Sequence, residues 1–242
     1  MDGCQPDKGA AMVETEPQIE PQVDRRSERR AARRAQNRAD ILDAAELVFS
    51  REGIRDGSLR AIATESGFST AGIYLFFENK QQLLAETLTR RGDELVYALR
   101  HVTEHDVAPL AQLHQVIDVT VAFFAERPDF RLLLRQMRGG TTITGPVLAE
   151  YAGDVDARFD AAMDILTGIV DRGQRVGEIR SGDARALAHM FSVLVNEYVL
   201  LDIASGSPEA PTLAANEFHA LVDGALRRDQ ARPQHRSDRM AT

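Results

Sequence analysis

A run of arginines near the N-terminus is the first group of residues whose chemistry suggests a binding partner. Residues 25–38 contain seven arginines and one acid. The arginines are Arg25, Arg26, Arg29, Arg30, Arg33, Arg34 and Arg38, and the acid is Glu28. Guanidinium groups bind phosphate oxygens, so such an arm can hold a nucleic-acid backbone. A solvated, charged helix end has the same composition, and only the residues that follow favour the DNA-binding interpretation.

The distribution of charge supports a nucleic-acid partner although the 242-residue chain has a net charge of -8. Residues 1–24 contain six acids and one lysine, and residues 81–242 contain twenty-three acids and seventeen bases. Residues 25–80 contain eleven bases and eight acids. The positive charge is thus concentrated in one segment, which is typical of a DNA-binding surface within an acidic protein.

Residues 58–80 have the pattern of two short helices joined by a tight turn. Ser58 and Ser69 are good N-caps, and Gly67 can adopt the left-handed conformation that the turn requires. The small side chain of Ala63 lets the two helices approach closely. The residues expected to close a shared core are Leu59, Ile62, Phe68 and Ile73. This pattern predicts a helix-turn-helix, whose second helix presents its N-terminal end to base edges in the major groove.

Three stretches around this unit resemble the TetR family of bacterial repressors. They are ILDAAELVF at residues 41–49, IATESGFS at residues 62–69 and YLFFENK at residues 74–80. The resemblance covers residues 38–85, about a fifth of the chain. It implies a dimeric, DNA-binding transcriptional repressor with a variable C-terminal domain that binds a small-molecule effector.

The resemblance also implies roles for individual side chains. Tyr74 and Lys80 align with positions that bind DNA phosphates in the family; alone, each is more often a packed aromatic or a solvated charge, but their joint spacing favours DNA. Ser58 aligns with a hydroxyl residue that contacts phosphate, and Arg60 with a position that contacts bases or backbone. The positions that face bases are Thr70, Ala71 and Gly72. The predicted DNA-binding set is completed by Arg34, Arg38 and Ser69.

Two positions depart from the family pattern. The family often has serine or threonine where this chain has Gly72, and a longer polar residue near Thr70, so few side chains here can read bases directly. Operator choice is therefore expected to depend on the arginine arm, on Arg60 and on DNA shape. Phe76 replaces a histidine or tyrosine, and we expect it to pack rather than to contact DNA.

Catalytic and metal-binding patterns are weak in this sequence. It has no glycine-rich phosphate loop, no Cys/His metal framework and no recognisable nucleophile motif, so we predict no enzyme, no catalytic residue and no cofactor. His101 and His105 are four residues apart near Asp106, but no third ligand has a fixed spacing, and a solvated or capping role is favoured over a metal site. The single cysteine, Cys4, excludes an intrachain disulfide and suits a reducing cytosol.

Apolar spacings of three and four residues predict an all-α protein, with an N-terminal three-helix DNA-binding domain and a C-terminal helical domain for ligand binding and dimerisation. The expected divisions are a disordered acidic leader (1–24), the arm and DNA-binding domain (25–80), the helical domain (81–228) and a disordered tail (229–242). A long helix is expected over residues 147–176, and Pro208 and Pro211 are expected to open the last helix. Neither a secretory signal nor a membrane-spanning run is found, so a cytoplasmic protein is expected.

The sequence of the C-terminal domain indicates less about its function. Candidate pocket residues are apolar side chains on its middle helices: Phe123, Phe124, Phe130, Leu134, Met137, Phe159 and Met163. They predict a small, largely apolar effector, although a plain packed core would use the same residues. Residues 183–228 predict a four-helix dimer interface or, alternatively, intramolecular core. An architectural DNA-binding protein without an effector, and an all-α enzyme, remain alternatives; an apolar cavity would favour the sensor.

Overall fold

The computed structural model describes residues 25–137, 149–204 and 213–228, and the described residues form helices joined by turns, with one isolated β-bridge. The helices are α1 (Arg25–Glu52), α2 (Leu59–Ser66), α3 (Thr70–Ile73), α4 (Lys80–Thr103), α5 (Pro109–Ala125), α6 (Pro128–Met137), α7 (Ala152–Val176), α8 (Ala184–Ala204) and α9 (Ala215–Leu226). The predicted all-α class is confirmed. The predicted leader and tail lie outside the described residues.

The chain divides into two compact units between Asn37 and Arg38, within α1. The described part of the first unit, residues 25–37, is a helical segment that carries most of the arginine arm, and Arg34 is exposed on it. The second unit contains everything from Arg38 onward. The division between residues 80 and 81 stays a prediction.

The helix-turn-helix is positioned by a small core within the second unit. Ile41, Ala45 and Phe49 recur every four residues on α1 and are fully buried, as one apolar face of a helix requires. Ile62 of α2 and Ile73 of α3 are equally buried. Leu83 and Leu84, near the start of α4, belong to the same core. The second half of α1 and the start of α4 therefore pack on the DNA-binding helices.

The remaining helices pack around α5 and α7, and α7 packs chiefly against α4 and α8. The α7 helix begins at Ala152, later than the expected residue 147, because residues 149–151 form a turn; residues 147 and 148 lie outside the described part. The α9 helix begins at Ala215, and Pro208 and Pro211 also lie outside that part. An antiparallel bridge between Ile179 and Arg227 fastens the α7–α8 connection to the end of α9. Within the described ranges, every helix is too short or too polar to cross a membrane.

Candidate DNA interface and ligand cavity

The turn between α2 and α3 has the geometry that a helix-turn-helix needs. Gly67 has a φ of 72°, a left-handed conformation that costs glycine little. The backbone N–H of Phe68 then donates to the carbonyl of Ala63 at 3.0 Å and closes the end of α2. The Phe68 ring meets the Phe76 ring edge to face, with centroids 6.2 Å apart. Phe76 therefore packs within the unit, as its apolar character predicts.

Both predicted caps form. The N–H of Ala61 donates to Ser58 Oγ at 3.1 Å, and the N–H of Gly72 donates to Ser69 Oγ at 3.0 Å. These bonds satisfy backbone donors at the starts of α2 and α3. Each serine is exposed, so its hydroxyl proton can still be donated to a phosphate. The sequence thus gives both serines a structural role that is compatible with DNA contact.

The exposed surface of the recognition helix is small. Helix α3 has four residues, of which Ala71 is exposed and Thr70 and Gly72 are half-buried. Tyr74 follows directly and is 56% exposed, and Arg60 is exposed on α2. All of these residues belong to the predicted DNA-binding set. The small side chains at positions 70–72 agree with the expectation that direct base contacts are few.

Lys80, predicted to bind phosphate, makes two hydrogen bonds within the protein. Its Nζ donates to the carbonyl oxygens of Arg55 and Gly57, each at 2.9 Å. Both carbonyls lie in the turn between α1 and α2. The first residue of α4 therefore fixes the turn that precedes α2. A third N–H remains on the ammonium group for another acceptor.

Arg38 is also bound within the protein. Its guanidinium donates to the carbonyl of Phe76 at 2.9 Å, forms an ion pair with Glu86 of α4 and lies 4.4 Å from the centre of the Phe77 ring. It holds the turn after α3 against α4. The sequence placed Arg38 in the arginine arm, and nothing local indicates these partners, because they are 38 to 48 residues distant.

A cavity of about 160 Å³ lies among helices α4, α5, α6, α7 and α8. Five of the seven predicted pocket residues line it: Phe124, Phe130, Leu134, Phe159 and Met163. The other two do not. Phe123 is buried behind the cavity wall, where its ring packs edge to face on Phe124 and Phe130, and Met137 packs against the core.

Helices α4 and α8 also contribute to the cavity wall, and none of their lining residues is among the predicted pocket residues. The α4 contribution is Leu88, Arg91, Gly92, Leu95, Val96 and Leu99, and the α8 contribution is Phe191, Ser192, Val195 and Asn196. Most of these are apolar residues of helical stripes, which look identical in a filled core. Their contribution matters because α4 begins next to the helix-turn-helix and continues into the cavity wall.

Arg91 is the cavity-lining residue with the most buried charged partner. Its Nε lies 2.7 Å from Glu46 of α1, and its Nη1 lies 2.9 Å from Glu94 of α4. Burial alone would lower the pKa of Arg91, but the hydrogen bonds and charges of Glu46 and Glu94 more than offset it and raise that pKa. The neighbouring Arg90 pairs with Asp43 of α1 at 2.7 Å. The cavity wall is therefore tied by charge to α1.

The histidines of the weak metal pattern have ordinary partners. His101 Nδ1 lies 2.8 Å from Glu104, and His105 Nδ1 lies 3.1 Å from the carbonyl of His101. In the part of the chain that the structure describes, no three His, Cys, Asp or Glu side chains are grouped to hold a metal ion.

The predicted dimer segment has both buried and exposed apolar residues. Phe191 and Val195 of α8 and Phe218 of α9 are buried in the core of this chain. Large apolar side chains that remain exposed are Met190, Val193, Leu213 and Leu221. The side chains of residues 201–204 lie outside the described part. The segment therefore contributes to the core and also leaves several large apolar side chains exposed.

Residues 41–87 match the family model of bacterial regulatory proteins of the tetR family. The chain is 32% identical over 79 residues to the nicotine-responsive transcriptional repressor HdnoR of Paenarthrobacter nicotinovorans, a match that spans 33% of this chain and 41% of HdnoR.

Solved structures show the same fold over most of the chain. FadR of Bacillus subtilis in complex with stearoyl-CoA matches 76% of this chain and 96% of its own, at 20% identity and a TM-score of 0.66. AibR in complex with isovaleryl-CoA and operator DNA matches 79% and 98%, at 21% identity and a TM-score of 0.61. Residues 41–87, which contain the helix-turn-helix, therefore match the DNA-binding region of the tetR family of bacterial regulatory proteins, and the helical domain beyond them has the same fold as these solved structures.

Proposed function

We propose that the protein is a cytoplasmic, ligand-responsive transcriptional repressor that binds a palindromic operator as a homodimer, and that it is not an enzyme. The observation that carries this proposal is the apolar cavity, because its wall includes α4, which starts at the helix-turn-helix. A cavity favours an effector-binding sensor over an architectural DNA-binding protein. The related proteins add support, since HdnoR is a repressor and AibR binds both an acyl-CoA and operator DNA.

The proposed DNA-binding domain comprises residues 25–80, and the effector and dimer domain comprises residues 81–228. In the first, the exposed side chains of Arg34, Ser58, Arg60 and Tyr74 are the proposed backbone contacts, with residues 69–72 facing the bases. The internal bonds of Arg38 and Lys80 support a positioning role for both. In the second, residues 183–228 are the proposed dimer interface, and two recognition helices roughly 34–36 Å apart would enter successive major grooves.

Tyr74→Ala is expected to weaken operator binding about ten-fold, since one hydrogen bond to a charged phosphate contributes about 1.5 kcal/mol. The matched control is Tyr97→Ala, because Tyr97 is similarly exposed, at 66% against 56%, but lies on α4 outside the helix-turn-helix. Fluorescence anisotropy with an operator found by footprinting upstream of the protein's own gene measures both affinities. Equal operator affinities for the two variants would contradict the proposed interface.

An effector that releases the operator must itself bind more weakly when the operator is present, by the same factor, about 5–150-fold for typical coupling. Compounds with a short acyl group, such as isovalerate and isovaleryl-CoA, are the first to test, because a cavity of about 160 Å³ suits a short acyl group better than a stearoyl chain. Calorimetry with and without operator measures the factor. Tight binding that is unaffected by operator would show that the compound is not an inducer.

A further inference from the structure

The charge of the cavity wall indicates what an effector carries. Among the described residues that line the cavity, the charged side chains are Arg91 and Arg158, and none is an aspartate or glutamate. The lining hydroxyl of Thr120 donates to the carbonyl of Val116 within its own helix. A cationic ligand would therefore have no carboxylate partner in this wall, whereas an anionic ligand would have two arginines with which to pair.

The two arginines have different partners. Arg91 binds Glu46 of α1, whose side chain is only 7% exposed, and also Glu94 of its own helix. Arg158 binds Asp93 of α4, whose side chain is 60% exposed. Of these pairs, only Arg91–Glu46 connects the cavity wall to α1, which packs on the helix-turn-helix. A ligand that changes the partner of Arg91 acts on α1, and a ligand that changes the partner of Arg158 does not.

We propose that the cavity takes a small apolar carboxylic acid, whose carboxylate replaces Glu46 as the partner of Arg91. This inference rests on the proposed function and adds the ligand class and the coupling step. One carboxylate can occupy the guanidinium fork in two-point contact, so bound ligand and Glu46 compete for the same donors. When the Arg91–Glu46 bonds are lost, α1 is held less firmly against α4. The DNA-binding helices, which pack on α1, can then change position.

The size of the chamber limits the acid. A dry apolar cavity of similar volume, about 150 Å³, accommodates benzene, so the apolar body should have about six non-hydrogen atoms or fewer. Isovalerate fits this limit, and isovaleramide is its neutral analogue of nearly the same shape. The two compounds therefore separate recognition of charge from recognition of shape.

The test compares these two ligands on the full chain by calorimetry. We expect isovalerate to bind about ten-fold more tightly than isovaleramide, because bonds to a charged group are about twice as strong as neutral ones. Glu46→Gln removes the competing carboxylate and should tighten isovalerate binding about five-fold or more without changing isovaleramide binding. Asp93→Asn is the matched control, since it removes the acid from the other arginine, and it should change neither affinity.

A second variant tests the same contact between the carboxylate and Arg91 if Glu46→Gln does not fold. Arg91→Lys retains the positive charge but loses the planar fork, so isovalerate should bind about ten-fold more weakly and isovaleramide as before. Equal affinities of acid and amide, failure of both to bind, binding of isovaleryl-CoA alone, or tightening by Asp93→Asn instead of Glu46→Gln would each overturn the inference.

Operator binding separates this inference from the proposed function. In the unsubstituted protein, operator should weaken isovalerate binding. In Glu46→Gln, the ratio of the isovalerate affinities without and with operator should fall towards one. Asp93→Asn should leave this ratio unchanged. An intact charge preference and Glu46→Gln response, with no coupling to operator in any variant, would reject isovalerate as an inducer and leave its binding mode supported. Coupling that is equally strong in Glu46→Gln would overturn the proposed exchange of partners.

Discussion

The Gly173→Ala variant should lose about 1–3 kcal/mol of unfolding free energy, the usual cost of overpacking a tight core. A Cβ at this position of α7 would lie 2.4 Å from Ile179 Cδ1 and 2.6 Å from Cγ1. Ile179 is buried, its backbone is fixed because its own N–H donates to the carbonyl of Gly173 at 3.1 Å, and its Cβ, which no change of rotamer moves, would lie only 3.1 Å from the added atom. Urea denaturation followed by circular dichroism measures the loss.

Gly168, one turn earlier in the same helix, is the matched control for this effect. A Cβ there meets nothing nearer than Arg172 Nη1 at 3.7 Å. Gly168→Ala should therefore stabilise the protein by up to about 1 kcal/mol through helix propensity. If the unfolding free energy changed in the same direction in both variants, the close approach of Ile179 would not be what restricts the side chain at position 173.

The Arg91→Leu variant is expected to lose about 3 kcal/mol, because it leaves Glu46 buried without its strongest partner. The side chains of Arg91 and Glu46 are 16% and 7% exposed, so water replaces little of the lost interaction. Glu94 retains Arg127 at 3.1 Å and contributes less to the loss. Chemical denaturation of this variant measures the loss of unfolding free energy.

The double variant Arg91→Leu/Glu46→Leu should recover most of that stability, since an apolar pair of similar volume often replaces a buried ion pair without loss. The double variant should then lose much less unfolding free energy than the sum of the two single variants, which is a large coupling energy in the complete double-mutant cycle. Additive losses in the two single variants would show that the pair contributes little, which would also weaken the case that its exchange moves α1.

Local features of the DNA-binding unit could be predicted from the sequence because they depend on neighbouring residues. Ser58, Ser69 and Gly67 determine caps and a turn within three or four positions, and the structure confirms all three. The cavity was harder to predict. Phe123 and Phe124 are adjacent and equally apolar, yet only Phe124 lines the cavity, because consecutive residues of a helix point about 100° apart.

Long-range polar partners could not be predicted at all. The phosphate contact of Lys80 stays a prediction, but its bonds to Arg55 and Gly57 had no local signal, because the fold must bring the start of α4 to the turn after α1. The pairing of Arg91 with Glu46 spans 45 residues, and no periodicity indicates which of the neighbouring acids an arginine will meet. The charge of a side chain predicts the sign of its partner's charge, but tertiary packing determines which residue that partner is.

Ion pairs across the α1–α4 contact limit how freely such regulators can be recombined. Arg38 pairs with Glu86, Asp43 with Arg90 and Glu46 with Arg91, and each pair has one member on either side of position 80. A chimera that joined residues 25–80 to a foreign sensor domain would separate all three pairs. Grafted sensors need arginines and an acid at matching places on their first long helix, so modular exchange works best when the junction follows α4 rather than precedes it.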